Sequence, residues 1–255
     1  MRLTPPLTTL VINLDRDVDR WTDTLEAFAG ATELRLQRQP GCLVSSLPRL
    51  VGDILTGKPG ARPGVLGCFL AHLGAWEKVA AMPDPWVLVI EDDVRPAKVG
   101  RLFDLDLPDD ADLIWVNHGM DFQGRDRSAA DLEIAPVEVA FRASLLREKQ
   151  RAPAADGYLL SPGGAAKLLA AVARDGLLGH VDWRMLRYAI PAEVWDDAAV
   201  AGTWAEQHPM LGRKGYELGR GVIRAYSLSP RVIGHRTGVP SARRATDNSP
   251  PGPND

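Results

Sequence analysis

Continuous apolar runs alternate along this chain with runs of helical spacing. TLVINL (residues 9–14) is a short β-rich apolar run, which predicts a strand. Asp17 follows as a candidate N-cap, and the segment to about residue 29 reads as a helix. In GVLGCFLAHLGAWEKVAAM (64–82), Val65, Leu66, Phe69, Leu70, Leu73, Trp76 and Val79 recur at helical intervals, and Pro83 and Pro85 close the helix. WVLVI (86–90) does not alternate, as expected of a strand covered on both faces. DLIWVN (112–117) reads the same way, and GMDFQGRDRSAAD (119–131) reads as a loop. GYLLS (157–161) is a short strand, Pro162 opens a helix to about residue 172, and VDWRMLRYAI (181–190) is a further helix. Beyond Pro191 the pattern thins, leaving EVW (193–195) and VIRAYSLS (222–229) as strand candidates.

Strands that alternate with helices predict an α/β protein with a mainly parallel central sheet. Ligands of such sheets bind beyond the carboxyl ends of the strands. A chain of 255 residues is long enough for a substantial core. Residues 1–239 read as one domain, and residues 240–255 (PSARRATDNSPPGPND) read as a flexible tail without apolar periodicity.

Charge and composition remove several classes of function. A net charge of −3 supplies no global basic field, which argues against nucleic acid as a partner. No run of about 18 apolar residues exists to cross a membrane as a helix. The opening MRLTPPLTTLVINLDRD lacks a signal-peptide layout. Cys42 and Cys68 form neither a disulfide framework nor a zinc site by spacing. The expectation is a reduced, cytoplasmic protein. The basic segment FRASLLREKQR (141–151) follows a strand-like run, and is a solvated face, a contact to anionic lipid at the inner face of a membrane, or a contact to an acidic acceptor.

The candidate chemistry sits where the strand WVLVI stops on Glu91, Asp92 and Asp93. Clustered like charges titrate upward unless a cation neutralises them. One reading is a solvated turn with Arg95 as partner. A second is a phosphoacceptor receiver, whose opening strand also ends on acids. Here about 90 residues precede the acids, and the next strand ends in Asn117 and His118 rather than in a phosphorylatable Asp. A third is a nucleotide-sugar transferase, in which the acids hold Mn²⁺ or Mg²⁺ against the donor diphosphate. On an extended chain Glu91 and Asp93 point the same way and share the ion, while Asp92 faces elsewhere.

Further segments favour the third reading: VINLDRDVDRW (11–21), GVLGCFLAHLGAWEKV (64–79), WVLVIEDDV (86–94), DGYLLSPGGAAKLL (156–169) and HVDWRM (180–185). In this order they resemble glycosyltransferase family 25, the lipooligosaccharide-biosynthesis galactosyltransferases, which also includes the collagen hydroxylysine galactosyltransferases. The resemblance spans roughly residues 9–190. It implies a GT-A-like fold, a divalent metal (Mn²⁺ first, Mg²⁺ second) and a UDP-sugar donor. It also implies inverting transfer of a hexose, typically galactose, to a hydroxyl of a glycan, lipid-linked or natural-product acceptor. Ala71 stands where the family often has Ser before the His, which bears on the donor. The alternative is a non-catalytic nucleotide-sugar-binding or regulatory protein on the same scaffold.

On this reading Asn13, Arg16, Arg20, His72 and Asp92 bind the donor; guanidinium geometry suits a diphosphate. Glu91 and Asp93 are the metal ligands, with His235 in SPRVIGHR as a late third. Cys68 and His72 share a helical face, but two ligands alone make no metal site. An inverting displacement needs a carboxylate base, for which Asp182 is favoured over Asp156. Tyr158 and the turn Ser161–Gly164 either line the pocket or simply connect a strand to a helix.

Overall fold

A computed structural model describes residues 1–44, 63–117, 132–145, 154–177, 180–197 and 219–235, with the backbone alone at 143–145 and 235. The strands are β1 (Leu7–Asn13), β2 (Leu34–Pro40), β3 (Val87–Glu91), β4 (Val94–Pro96), β5 (Leu113–Trp115), β6 (Glu133–Pro136), β7 (Gly157–Leu160), β8 (Ala225–Ser229) and β9 (Ile233–His235). The helices are α1 (Val18–Ala27), α2 (Pro63–Ala80), α3 (Val137–Leu145), α4 (Pro162–Asp175), α5 (Val181–Ala189) and α6 (Ala192–Trp195), with a 3-10 helix at Val99–Asp104. The main sheet has seven strands in the order β2-β1-β3-β7-β5-β8-β6, and β4 and β9 form a separate two-stranded ribbon.

β1 runs parallel to both β2 and β3, and β5 runs parallel to β8. β7 is antiparallel to β3 and β5, and β6 is antiparallel to β8. Most strands therefore point one way, as the alternating pattern predicts, with β7 and β6 reversed. The reversal of β7 follows from its pairing between β3 and β5. Its first residues then lie at the same sheet edge as the last residues of its neighbours, with Ile90 opposite Gly157 and Trp115 opposite Tyr158.

The unbroken apolar runs reflect two buried layers. Val87 and Val89 enter the core built with α2, α4 and α5. Leu88 and Ile90 enter the opposite layer with Phe28 and the 3-10 helix residue Leu102. Successive side chains of a strand leave on opposite faces, so both parities must be apolar when both faces are covered.

α4 is held close to the sheet. Ser161 caps it, its Oγ accepting from the Gly164 amide at 3.0 Å and donating to the Asp112 carbonyl at 3.2 Å. A Cβ at Gly164 would lie 2.4 Å from that carbonyl oxygen, so the close approach needs glycine. Buried Asp112 accepts from Lys167 at 2.7 Å and from the Arg224 amide at 2.8 Å, tying α4 and the segment before β8 to β5.

The sequence reading missed β2, whose LRLQRQP is polar because only Leu34 is buried. It also missed β4, β6, β9 and the 3-10 helix, each too short for periodicity to register. EVW (193–195) is helical, not a strand: Pro191 pre-sets the entry and residues 192–195 make a single turn. The strand-like run before residue 141 divides into β6 and α3, which begins directly after Pro136. The loop expected at 119–131 and the tail at 240–255 lie outside the described residues.

Candidate active site

Strand ends converge at the carboxyl edge of the sheet. β1 stops at Asn13, and β3 stops at Glu91, which is one residue beyond Ile90, the partner of Gly157 at the start of β7. The Glu91 amide donates to the Asp156 carbonyl at 3.3 Å, so Asp156 adjoins the acidic turn. The chain turns at Asp92 and Asp93, so the extended-chain alternation over 91–93 does not continue. A cleft opens here, with Asn13, Arg20, Gly67, His72, Glu91 and Asp93 in its lining.

Asp92 is the buried hub of one side. It pairs closely with the Arg20 guanidinium, and it accepts from Asn13 Nδ2 at 2.7 Å. Its backbone carbonyl accepts from Thr24 Oγ1 at 3.0 Å, which ties α1 to the turn. Burial pushes the Asp92 carboxyl above its ordinary range, while the Asn13 amide and the Arg20 charge pull against that rise. Arg20 also reaches Asp93 at 3.6 Å, so a guanidinium faces two of the three acids. Asn13 in turn accepts from Arg38 Nε at 2.8 Å, and Arg38 pairs with Asp15 at 2.9 Å. Among the described residues, Arg20 Nε and Arg38 Nη2 are buried without a hydrogen-bond partner.

Glu91 belongs to the other side. His72 Nε2 lies 3.3 Å and Cys68 Sγ 3.9 Å from Glu91 Oε1. His72 Nδ1 sits 2.8 Å from the Tyr158 hydroxyl, to which Trp76 Nε1 donates at 2.9 Å. Cys68, His72 and Trp76 occupy successive turns of α2, four residues apart, and so share one face. His72, Trp76 and Tyr158 are fully buried, and burial pushes the Tyr158 hydroxyl far up, so it stays protonated.

The remaining candidates are dispersed. Asp156 is buried and accepts a short hydrogen bond from Asn117 Nδ2. Asp182 opens α5 and accepts from the Trp183 amide at 2.8 Å, and it is not among the residues lining the cleft. Arg16 is half-exposed, lies 3.6 Å from Asp17, and is likewise not among the lining residues. His235 is opposite Val94 in the β4–β9 ribbon, one residue beyond Asp93. The Ser161–Gly164 turn connects strand to helix at the far end of β7 from Asp156. Ala71 lines the cleft in a buried position. Of the basic segment, residues 146–151 lie outside the described residues.

Arg38 and Cys42 escaped the sequence reading as parts of this neighbourhood, and so did the role of Trp76, which helical spacing places on the face of Cys68 and His72. The alternation of Leu34 and Leu36 in β2 was the available signal for Arg38. Nothing local marks Trp76 as a hydrogen-bond donor to a strand on the far side of β3. Cys42 joins the cleft lining through its backbone approach to Gly67, where a Cβ would lie 2.5 Å from the Cys42 carbonyl oxygen.

Residues 62–177 match the sequence profile described as glycosyltransferase family 25 (LPS biosynthesis protein). This segment, a little under half of the chain, is similar to that family. It carries Cys68, His72, the acidic turn, Asp156 and Tyr158, while Asn13 and Arg20 come from the preceding β1–α1 unit. Over 199 residues the chain is 27% identical to procollagen galactosyltransferase 2 of Homo sapiens, covering 77% of this chain and 28% of the relative. The Mus musculus protein of the same name matches at the same identity and coverage. The chain thus spans little more than a quarter of the length of these relatives. Among solved structures, the galactosyltransferase LgtC with donor and acceptor sugar analogues aligns at TM-score 0.41 and 13% identity, over 91% of this chain and 87% of that one. The apo form of the glycosyltransferase GlyE from Streptococcus pneumoniae TIGR4 aligns at TM-score 0.39 and 11% identity, over 95% of this chain and 59% of that one.

Proposed function

We propose that this chain is a metal-assisted glycosyltransferase that moves a hexose from a nucleotide sugar to an acceptor hydroxyl with inversion at the anomeric carbon. UDP-galactose is the first candidate donor. The observation that carries this reading is the convergence of Asn13, Arg20, His72 and the acids 91–93 on one cleft at the carboxyl edge of the sheet, around a family 25 segment. Galactose is favoured by the names of the curated relatives.

The donor set suits a hard divalent ion. Glu91 and Asp93 bring carboxylate oxygens to the cleft, and the β4–β9 ribbon sets His235 beside the acidic turn. Mn²⁺ and Mg²⁺ favour such ligands, and Asp93, Glu91 and His235 would hold the ion. When bound, it supplies positive charge that stabilises a departing diphosphate.

The chain's own residues do the rest. Arg20, oriented by Asp92, presents guanidinium charge to the donor phosphates. Asn13, bridging Asp92 and Arg38, fixes the rim on which the nucleoside rests. His72 lines the wall toward the sugar, whereas Arg16, on the turn before α1, is not among the lining residues and takes no role here. For the proton of the acceptor hydroxyl, Asp156 is the carboxylate next to the acidic turn, whereas Asp182 lies in the first turn of α5 and accepts from the adjacent Trp183 amide; neither is among the residues lining the cleft. The acceptor is a glycan, lipid-linked or natural-product hydroxyl, and the site of action is cytoplasmic, at the inner face of the membrane where the acceptor is lipid-linked.

Titration calorimetry with UDP and a panel of nucleotide sugars, with and without Mn²⁺, tests this on wild type and Asp93→Ala. The expected result is Mn²⁺-dependent binding of one UDP-sugar, lost in the variant, followed by UDP release when a hydroxyl acceptor is added. Anomeric analysis of the product by NMR reads the stereochemistry directly. Binding without turnover across an acceptor library would instead identify a nucleotide-sugar sensor, and absence of all nucleotide-sugar binding would overturn the reading.

A further inference from the structure

We propose that Cys68, His72 and Glu91 form a binding site for one thiophilic divalent cation of the Zn²⁺ class, on the wall of the same cleft. By sequence, Cys68 and His72 are two ligands one helical turn apart and no more. The fold supplies a third by ending β3 at Glu91 beneath that turn. Among the described residues, this is a group of potential ligand atoms lying within 4.8 Å of one another.

The spacings come close to those of a bound ion, and small side-chain rotations close the remainder. Tetrahedral zinc binds N, O and S at about 2.0–2.3 Å, which separates neighbouring ligand atoms by about 3.3–3.8 Å. His72 Nε2 and Glu91 Oε1 are 3.3 Å apart, and Cys68 Sγ and Glu91 Oε1 are 3.9 Å apart. A thiolate, an imidazole and a carboxylate make a donor set that favours zinc-like ions over Mn²⁺ or Mg²⁺, which prefer oxygen. Three protein ligands leave a fourth position open, and it faces the cleft.

The surroundings are those of a metal-binding histidine. A ligating imidazole carries its proton on the nitrogen away from the metal and gives it to a fixed acceptor. The Tyr158 hydroxyl lies 2.8 Å from Nδ1 and is itself anchored by Trp76 Nε1 at 2.9 Å. Its oxygen has two lone pairs, enough to accept from both donors. Metal binding then leaves the imidazole neutral, with its proton on Nδ1. It releases one proton, from the Cys68 thiol, to solvent, and involves no redox change.

Sharing Glu91 makes this ion antagonistic to the hard ion proposed above, since one carboxylate turned toward Cys68 and His72 is withdrawn from the Asp93 side. That antagonism rests on the proposed transferase reading; the binding itself does not.

The experiment uses the full chain stripped of metal and titrated with Co²⁺ as a spectroscopic probe and with Zn²⁺ in a calorimeter. One equivalent of Co²⁺ is expected to give a thiolate-to-metal charge-transfer band, displaced by Zn²⁺. The band disappears in Cys68→Ser and persists in Cys42→Ser. Glu91→Gln keeps the band and weakens Zn²⁺ at least tenfold, and Tyr158→Phe weakens it about 10–100-fold. Absence of the band in folded wild type overturns the proposal, as does its survival in Cys68→Ser. If the band behaves as expected and Zn²⁺ does not antagonise Mn²⁺-dependent UDP-sugar binding, the cation site stands and the transferase role of Glu91 falls.

Discussion

Replacing Arg20 by alanine removes the cation that faces the buried carboxylate Asp92. The side chains of Arg20 and Asp92 are 17% and 9% exposed, so the pair is mostly but not wholly withdrawn from water. Deleting one partner of a buried pair costs about 3–5 kcal/mol. The residual exposure, and the Asn13 hydrogen bond that Asp92 keeps, set the expectation at the lower end, about 3 kcal/mol at neutral pH. With a urea slope of about 2 kcal/mol per molar, the unfolding midpoint falls by about 1.5 M.

The pH dependence has a definite sign. The Asp92 carboxyl is raised by burial, so the folded protein takes up its proton more readily than the unfolded chain does. The stability it contributes is present below the unfolded carboxylate pKa and is lost as pH rises through the raised folded value. Loss of Arg20 raises that value further. The penalty of Arg20→Ala therefore shrinks under mildly acidic conditions, and Asp92→Asn added to Arg20→Ala restores more than half of the lost stability. Urea unfolding followed by tryptophan fluorescence, at neutral and mildly acidic pH, measures all of these. A midpoint shift below about 0.3 M at neutral pH, or a penalty that does not change with pH, would refute the argument that Asp92 is a buried charge held by Arg20.

Two further substitutions test the frame around the site. Gly164→Ala places a Cβ 2.4 Å from the Asp112 carbonyl oxygen and 3.0 Å from the Asp112 Cβ, where neither backbone can yield. The expected loss is about 2–3 kcal/mol, seen as a melting temperature lower by about 5–10 °C, while Gly163→Ala, which meets nothing within 4 Å, leaves melting nearly unchanged. Tyr158→Phe strands the Trp76 indole N–H and His72 Nδ1 in the core, at a cost of about 2–4 kcal/mol by urea unfolding; a neutral result would mean that water reaches them.

Much of the site was legible because its residues stand at the ends of recognisable elements. The apolar run before Glu91 marks a strand covered on both faces, and its end marks the edge where ligands of α/β sheets bind. The helical spacing of residues 64–82 likewise put Cys68, His72 and Trp76 on one face before any fold was known. The polar strand β2 was not legible in this way, because an edge strand with one buried residue carries almost no hydrophobic signal. Nor was the helical turn at 192–195, too short for a period to register.

By itself, then, the sequence determined most of the longer elements and the α/β class, since these rest on local periodicity. Only the tertiary structure decided how the three acids divide. In sequence, extended-chain alternation pairs Glu91 with Asp93 and turns Asp92 away. In space the turn after Glu91 sends Asp92 and Asp93 to Arg20 on α1, and leaves Glu91 with Cys68 and His72 on α2. The physical reason is that a carboxylate's partner is whichever group the packed sheet brings within hydrogen-bond reach, and strand order across the sheet is a long-range outcome that no local pattern encodes.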